Sequence, residues 1–170
     1  LFKDWGTLSP SLWVTLRITG LAFLCAAVGG LVISVLFTLS KWVEMSFFPF
    51  AVVLQVTPIV AIFPLINIYV DNQTTKLLLC AWIVAFFPIL SNTTIGLKSS
   101  DHNLQDLFTI YGATRWQRLR HLAAPSALPF FLGGLKIAGG LALIGAVVAE
   151  FVIGRAGTGL GLASTLLEAS

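Results

Sequence analysis

The chain has 170 residues, of which 57% are hydrophobic and 10% charged, with a mean hydropathy of +0.94. A soluble domain carries about 25% charged residues, so this composition excludes one and points to a polytopic helical membrane protein. The net charge of +3 is small and gathers in one loop, which makes it a topology signal and argues against a nucleic-acid partner.

In chain order, Leu1–Arg17 is amphipathic, with Trp5, Trp13 and Arg17 suited to a membrane interface, and Ser9-Pro10-Ser11 reads as a helix start. Ile18–Ser40 contains no charge and, at about 1.5 Å per residue, is long enough for a roughly 30 Å hydrocarbon core. Gly20, Ala26, Ala27, Gly29 and Gly30 offer places for another helix to approach closely. Lys41 and Glu44 mark a polar break before a second span, Met45–Val70. That span holds Pro49, Pro58 and Pro64, each deleting one backbone hydrogen bond, and Gln55 precedes Pro58 by one turn. A kinked or locally unwound helix is expected, tolerable in lipid where its freed carbonyls face protein or water. Gln55, Pro58 and Pro64 are therefore candidates to line a pathway, against the plainer reading of a structural kink.

Asp71, Asn72, Gln73 and Lys76 form a short loop, followed by a third span, Leu77–Leu97, with Pro88 and a polar tail that includes Asn92, a further pathway candidate. A fourth span covers Ala127–Ile153, where Gly134, Ala138, Ala142, Ala146 and Glu150 recur every four residues down one helix face. A carboxylate on such a face should point into protein and not into lipid. Lys136 lies about 21 Å from Glu150 along the axis, too far to pair within the helix. It either assists an anionic substrate or snorkels to a headgroup. Cys25 and Cys80 sit inside apolar runs and read as free buried thiols.

Between the third and fourth spans lies the longest polar interval, Asp101–Pro129, with Arg115, Arg118, Arg120 and both histidines. This basic cluster assigns it to the cytoplasm. Lys41 and Lys98 then also fall inside, while Lys3, Arg17, Lys76 and Arg155 fall outside. Leu1–Arg17 outside requires at least one earlier span. The chain opens without Met and stops at Ser170 as a new apolar stretch, Leu160–Leu167, begins, so an internal piece of a longer protein is expected. No cleavable signal is visible after Lys3, Asp4 and Trp5.

Catalytic and metal constellations find no support. The glycines at 154, 157, 159 and 161 lack the Lys-Ser or Lys-Thr of a phosphate loop and follow no strand, so they read as a flexible turn. His102 and His121 have no second ligand at metal spacing, and no metal site is expected.

Gly112, followed by Pro125 inside a cytoplasmic loop, resembles the EAA loop of ATP-binding-cassette importer permeases. The acid of that motif falls on Asp106 and its two alanines on Leu107 and Phe108, while the ending is Leu122-Ala123-Ala124-Pro125; the alanines and the last Leu of the motif do not match. YGATRWQ, PSALPFFLGGLKIAGGLALIGAVVAEF, SLWVTLRIT, LQVTPIVAIFPL and FFPILSNTTIGL are similar, in order, to the nitrate, sulfonate and taurine branch, over nearly the whole chain.

The resemblance implies an all-α transmembrane bundle of about six spans, about five of them at least partly present, in a single permease domain over residues 1–170 that is incomplete at both ends. Residues 98–125 would be its cytoplasmic coupling loop. Asp106–Gly112 would form a short coupling helix and its ending turn, docking on an ATPase, with Leu107, Phe108 and Ala113 in the same element. Arg115, Arg118 and Arg120 would pair with the partner's acids or with lipid headgroups, or serve as topology signals alone. Pro125 would end the loop and redirect the chain into the fourth span.

The implied partners are cytoplasmic ATPase subunits, an extracytoplasmic solute-binding protein, a second permease copy and the lipid bilayer of a prokaryotic inner membrane. The chain itself would be no enzyme and would bind no cofactor, with ATP and Mg used by the partner. A nitrate-, sulfonate- or taurine-like anion or a vitamin-precursor pyrimidine would be the solute. Two rivals remain, an ion-coupled secondary carrier, for which Glu150 is the one buried acid, and a non-transporting membrane scaffold.

Overall fold

A computed structural model describes the backbone of residues 5–154 and the side chains of residues 12–152. Seven helices follow one another among the described residues: α1 (Trp5–Leu39), α2 (Lys41–Val56), α3 (Ile59–Tyr69), α4 (Gln73–Lys98), α5 (His102–Ile110), α6 (Arg115–Arg118) and α7 (Ala124–Gly154). A π-helical turn, Leu119–Ala123, joins α6 to α7. No strand is present among the described residues. Among the described residues three helical stretches, Leu12–Leu39, Gln73–Lys98 and Arg115–Val152, are long and apolar enough to cross a membrane, and the bent pair α2–α3 makes a fourth if it counts as one span. The expected all-α polytopic bundle is what is found. The fifth span expected at Leu160–Leu167, and the glycine-rich turn after Gly154, lie outside the described residues.

α4 is the central helix, packed between α1 and α7. Asn72 caps its start, the side-chain oxygen accepting from the Thr75 N–H at 3.2 Å. Its interior positions Ala81, Ala85 and Ile89 have no exposed surface. The polar tail after Pro88 is satisfied within the helix itself: Thr93 donates to the Ile89 carbonyl at 2.5 Å, Thr94 to Leu90 at 2.7 Å and Asn92 to Pro88 at 2.8 Å. The small-residue stripe of α7 lies against this helix, with Ala138, Ala142, Ala146 and Glu150 all buried. A Cβ added to Gly134 would sit 3.1 Å from the Pro88 carbonyl oxygen, and one on Gly96 would sit 2.9 Å from the Ala127 Cα. Without a hydrophobic force between helices in lipid, such backbone approach is what yields packing energy. α1 joins on the other side, where the Ser34 hydroxyl donates to its own turn at Gly30 (2.7 Å) and across to the Leu90 carbonyl (3.1 Å).

Several expectations need correction. α1 begins at Trp5 and runs unbroken through Ser9-Pro10-Ser11, so that tripeptide is not the helix start; Pro10 lies in the second turn and deletes one bond, to the Gly6 carbonyl, without ending the helix. Lys41 and Glu44 belong to the first turn of α2, where an acid meets the positive end of the helix dipole; Ser40 alone, extended at φ −137°, makes the break. The second span splits into α2 and α3, bent by 105°. Of its three prolines only Pro58 stands at the break. Thr57, extended before the proline ring, sends both its N–H and its hydroxyl to the Val53 carbonyl, which closes α2. Pro49 and Pro64 each delete a bond without ending their helices. Cys80 is buried as expected, whereas Cys25 is exposed on the outer side of α1; both are free thiols.

The segments that the charge pattern groups on one side lie at one end of the bundle. At one end Lys98 pairs with Glu44 and Arg115 reaches the Leu39 carbonyl, bringing together the segments assigned to the cytoplasm. At the other, Thr15 of α1 donates to Glu150 of α7.

Candidate functional site

The polar interval folds into α5, a tight turn and α6, held on the end of α4. Ser100 is buried beneath α5, and the Gln105 amide donates to both its carbonyl (3.0 Å) and its hydroxyl (2.9 Å). Asp101 caps α5, accepting from the Asn103 N–H at 2.8 Å. α5 ends at Ile110, and Gly112 follows with φ +66°, the left-handed region that only glycine enters without cost. There its N–H donates to Thr109 and that of Ala113 to Phe108, so the last carbonyls of α5 are satisfied. Thr114 then opens α6 with a capping box, in which it accepts from the Gln117 N–H while the Gln117 side chain accepts from the Thr114 N–H.

This arrangement has two faces. Outward, Leu104, Leu107, Ile110 and Tyr111 form an apolar strip along α5, with Ile110 and Tyr111 each 81% exposed, and Trp116 stands exposed on α6. Beside the strip lies a cup of about 500 Å³ around Gly112, lined by Leu107, Phe108, Tyr111, Ala113, Gln117 and His121. Four residues expected from the sequence, Leu107, Phe108, Gly112 and Ala113, thus meet at one concave surface. Asp106 is exposed on α5 and outside the cup.

Inward, the arginines turn toward the chain's own body. Arg115 donates to the Leu39 carbonyl at 3.3 Å, and Arg118 to the Thr109 hydroxyl at 3.3 Å and the Ala113 carbonyl at 3.4 Å. They lash the turn to α1 and α5. Arg120 remains exposed.

Pro125 does not redirect the chain. Helix runs without interruption from Arg115 to Gly154, and Pro125 stands in the first turn of α7. The π-helical turn just before it is the reason. Here the Ala124 N–H reaches back five residues to Leu119, so the wider turn makes room for a ring that would otherwise press on the carbonyl four residues earlier. The polar loop proper is therefore Ser99–Thr114, shorter than the expected 98–125, and α6 is the foot of the fourth span.

The residues singled out for a pathway are not brought together. Gln55, Pro58 and Pro64 lie exposed on α2 and α3, and Lys136 is exposed on α7. Asn92 is half-buried in the α4–α7 seam beside Gly134. Glu150 is 1% exposed and accepts from the Thr15 hydroxyl at 2.5 Å. The sequence reading missed Thr15, whose only signal is its place on the amphipathic start of α1, and missed the outward strip Leu104, Ile110, Tyr111 and Trp116. The helical spacing of that strip was readable. Among the described residues no cluster of three or more His, Cys, Asp or Glu side chains forms a metal site.

Comparison with known proteins agrees with this architecture. Residues 18–170 match the family described as binding-protein-dependent transport system inner membrane component. The chain is 41% identical over 119 residues to the riboflavin transport system permease protein RibX of Chloroflexus aurantiacus, covering 70% of this chain and 44% of that protein. It is 35% identical over 145 residues to the formylaminopyrimidine transport permease protein ThiX of Halalkalibacterium halodurans, covering 85% and 58%. Against the putative aliphatic sulfonates transport permease protein SsuC of Bacillus subtilis the identity is 32% over 155 residues, covering 91% and 56%. The chain thus spans about half the length of these relatives. With the family matched from the first span onward, the chain belongs to the binding-protein-dependent transport system inner membrane components, and is a multi-pass membrane protein.

Proposed function

We propose that the full protein is the membrane-spanning permease subunit of an ATP-binding-cassette importer in a prokaryotic inner membrane, with the α5–α6 end in the cytoplasm. In this reading it hydrolyses nothing and binds no cofactor. ATP and Mg are handled by ATPase subunits docked on α5, a solute-binding protein delivers substrate from outside, and a second permease copy completes the pathway. The names of the relatives, which transport riboflavin, formylaminopyrimidine, aliphatic sulfonates and nitrate, suggest a small heteroaromatic vitamin precursor or a small anion as solute.

The observation that carries the proposal is the outward strip of α5 on a rigid stem. Leu107, Ile110 and Tyr111 are exposed at a polar end of the molecule, where water and not lipid would cover them. Burying them against a partner gains about 25 cal/mol per Å² of apolar surface. The strip is tied through the capped turn and α6 to the unbroken helix ending at Gly154. A push on α5 is thereby passed along a packed helix instead of being absorbed by a hinge, as a switch between two arrangements requires.

The test is co-purification of the full-length protein with its ATPase from detergent, comparing the parent with Leu107→Asp and Gly112→Asp. The expected result is an ATPase that travels with the parent and is lost from both variants, which keep the parent's helical content. Were the parent to purify alone and transport solute in vesicles without ATP, the importer reading would fall and a carrier would replace it.

A further inference from the structure

On the inner side of α6, opposite the outward strip, lies a second cavity of about 630 Å³, bounded by the ends of α1 and α4 and the start of α2. Lys41, Lys98, Arg115 and Arg118 line it, above an apolar floor that includes Leu97 and Leu119. The charge here is poorly compensated. Lys98 has Glu44 as partner. Among the described residues Arg115 and Arg118 bond neutral oxygens, the Leu39 and Ala113 carbonyls and the Thr109 hydroxyl. The Nε of Arg118 is buried with no hydrogen-bond partner. Lys41 is exposed. Asp101, nearby in sequence, is engaged in capping α5.

Four cationic side chains around one cavity, with a single carboxylate partner on Lys98, have one natural complement, an anion with several acceptor oxygens in a plane or tetrahedron. We propose that this cavity is a binding site for a phosphate group. Its floor decides between sources. α1 leaves its span at Leu39 and α4 at Lys98, so the cavity sits where the chain emerges from the hydrocarbon core. Cationic pockets between helices at that depth take anionic headgroups, and the apolar floor receives the glycerol and the first carbons of the acyl chains. A phospholipid is thus favoured over a free phosphate. Bound there, the headgroup would bridge the start of α2, the end of α4 and the foot of α6. The proposal does not depend on the transport reading, since it concerns retention of a ligand and not a transport cycle.

The experiment is native mass spectrometry of the full-length protein, with whatever subunits accompany it, released from phosphatidylcholine bilayers containing phosphatidylglycerol. The parent is expected to keep phosphatidylglycerol after phosphatidylcholine has been stripped. Retention should fall several-fold in Lys41→Gln, whose exposed side chain can be changed without disturbing the fold, and further in Lys41→Gln with Arg115→Gln. Lys76→Gln, at the other end of the bundle, should leave it unchanged. If millimolar inorganic phosphate instead protects the lipid-free parent from heat, and does not protect Lys41→Gln, the site stands with a soluble phosphate as its ligand. A parent that prefers neither anionic lipid nor phosphate overturns the proposal, as does a Lys41→Gln variant that binds like the parent.

Discussion

The α4–α7 seam and the α2–α3 pair are built from equally apolar sequence, and both contain prolines, yet they end in opposite situations. The seam is closed: Ala85, Ile89, Ala138 and Ala142 are fully buried, and Gly96 and Gly134 let the backbones nearly touch. α2 and α3 stand at the margin, bent at Pro58, with Phe47, Phe50, Val56 and Ile68 exposed. Hydrophobicity does not distinguish the two, because lipid solvates Leu and Phe as well as protein does. Side-chain size at four-residue spacing does. Where the stripe is small the helices close up, and where it is large the helix keeps its surface for lipid or for another subunit.

The contrast breaks most sharply at Gly96. A valine there would drive its Cβ to 2.6 Å from the Phe130 Cβ and 2.9 Å from the Ala127 backbone, neither of which can move without shifting a helix. Gly96→Val should cost about 3 kcal/mol and be seen as loss of folded protein in detergent. Next comes Thr15→Val, which removes a donor from the buried Glu150 carboxylate and should cost about 1–3 kcal/mol, measured by unfolding in mixed micelles. Gly112→Ala has open space around it but requires a left-handed residue, so a cost of about 1–2 kcal/mol is expected. Its signature is local: faster hydrogen exchange in residues 102–114 with the seam unchanged. Smallest is Phe50→Ala, at a side chain 70% exposed, which should stay within about 0.5 kcal/mol for a single protomer. If Phe50→Ala cost as much as Gly96→Val, the distinction between the two regions would be wrong.

What was legible in the sequence follows the same division. The stripe from Gly134 to Glu150 is a spacing, and spacing survives the loss of all other information. Gly112 was legible because positive φ has a residue type attached to it. The break at Pro58 was only partly so. Three prolines looked alike, and what separates Pro58 is a threonine whose hydroxyl finishes the preceding helix. The directions of Arg115 and Arg118 were not legible, since their acceptors at Leu39 and Ala113 are set by how α1 meets α6 in space. Nor was the passage through Pro125, which depends on a hydrogen-bond register that no residue type announces.

That register has a bearing on chain length. A turn closed from Ala124 to Leu119 holds one residue more than an α-helical turn. Elsewhere in α7 the loss of one residue would rotate everything before it by about 100°, taking the loop off its seat. Within 119–123 the same loss, made together with Pro125→Ala so that no ring meets the tightened turn, would make the wide turn an ordinary one and leave both flanks facing nearly as they do now. A single-residue deletion within 119–123 combined with Pro125→Ala is therefore expected to keep the loop seated, whereas a deletion between Gly134 and Ala146 is expected to unseat it.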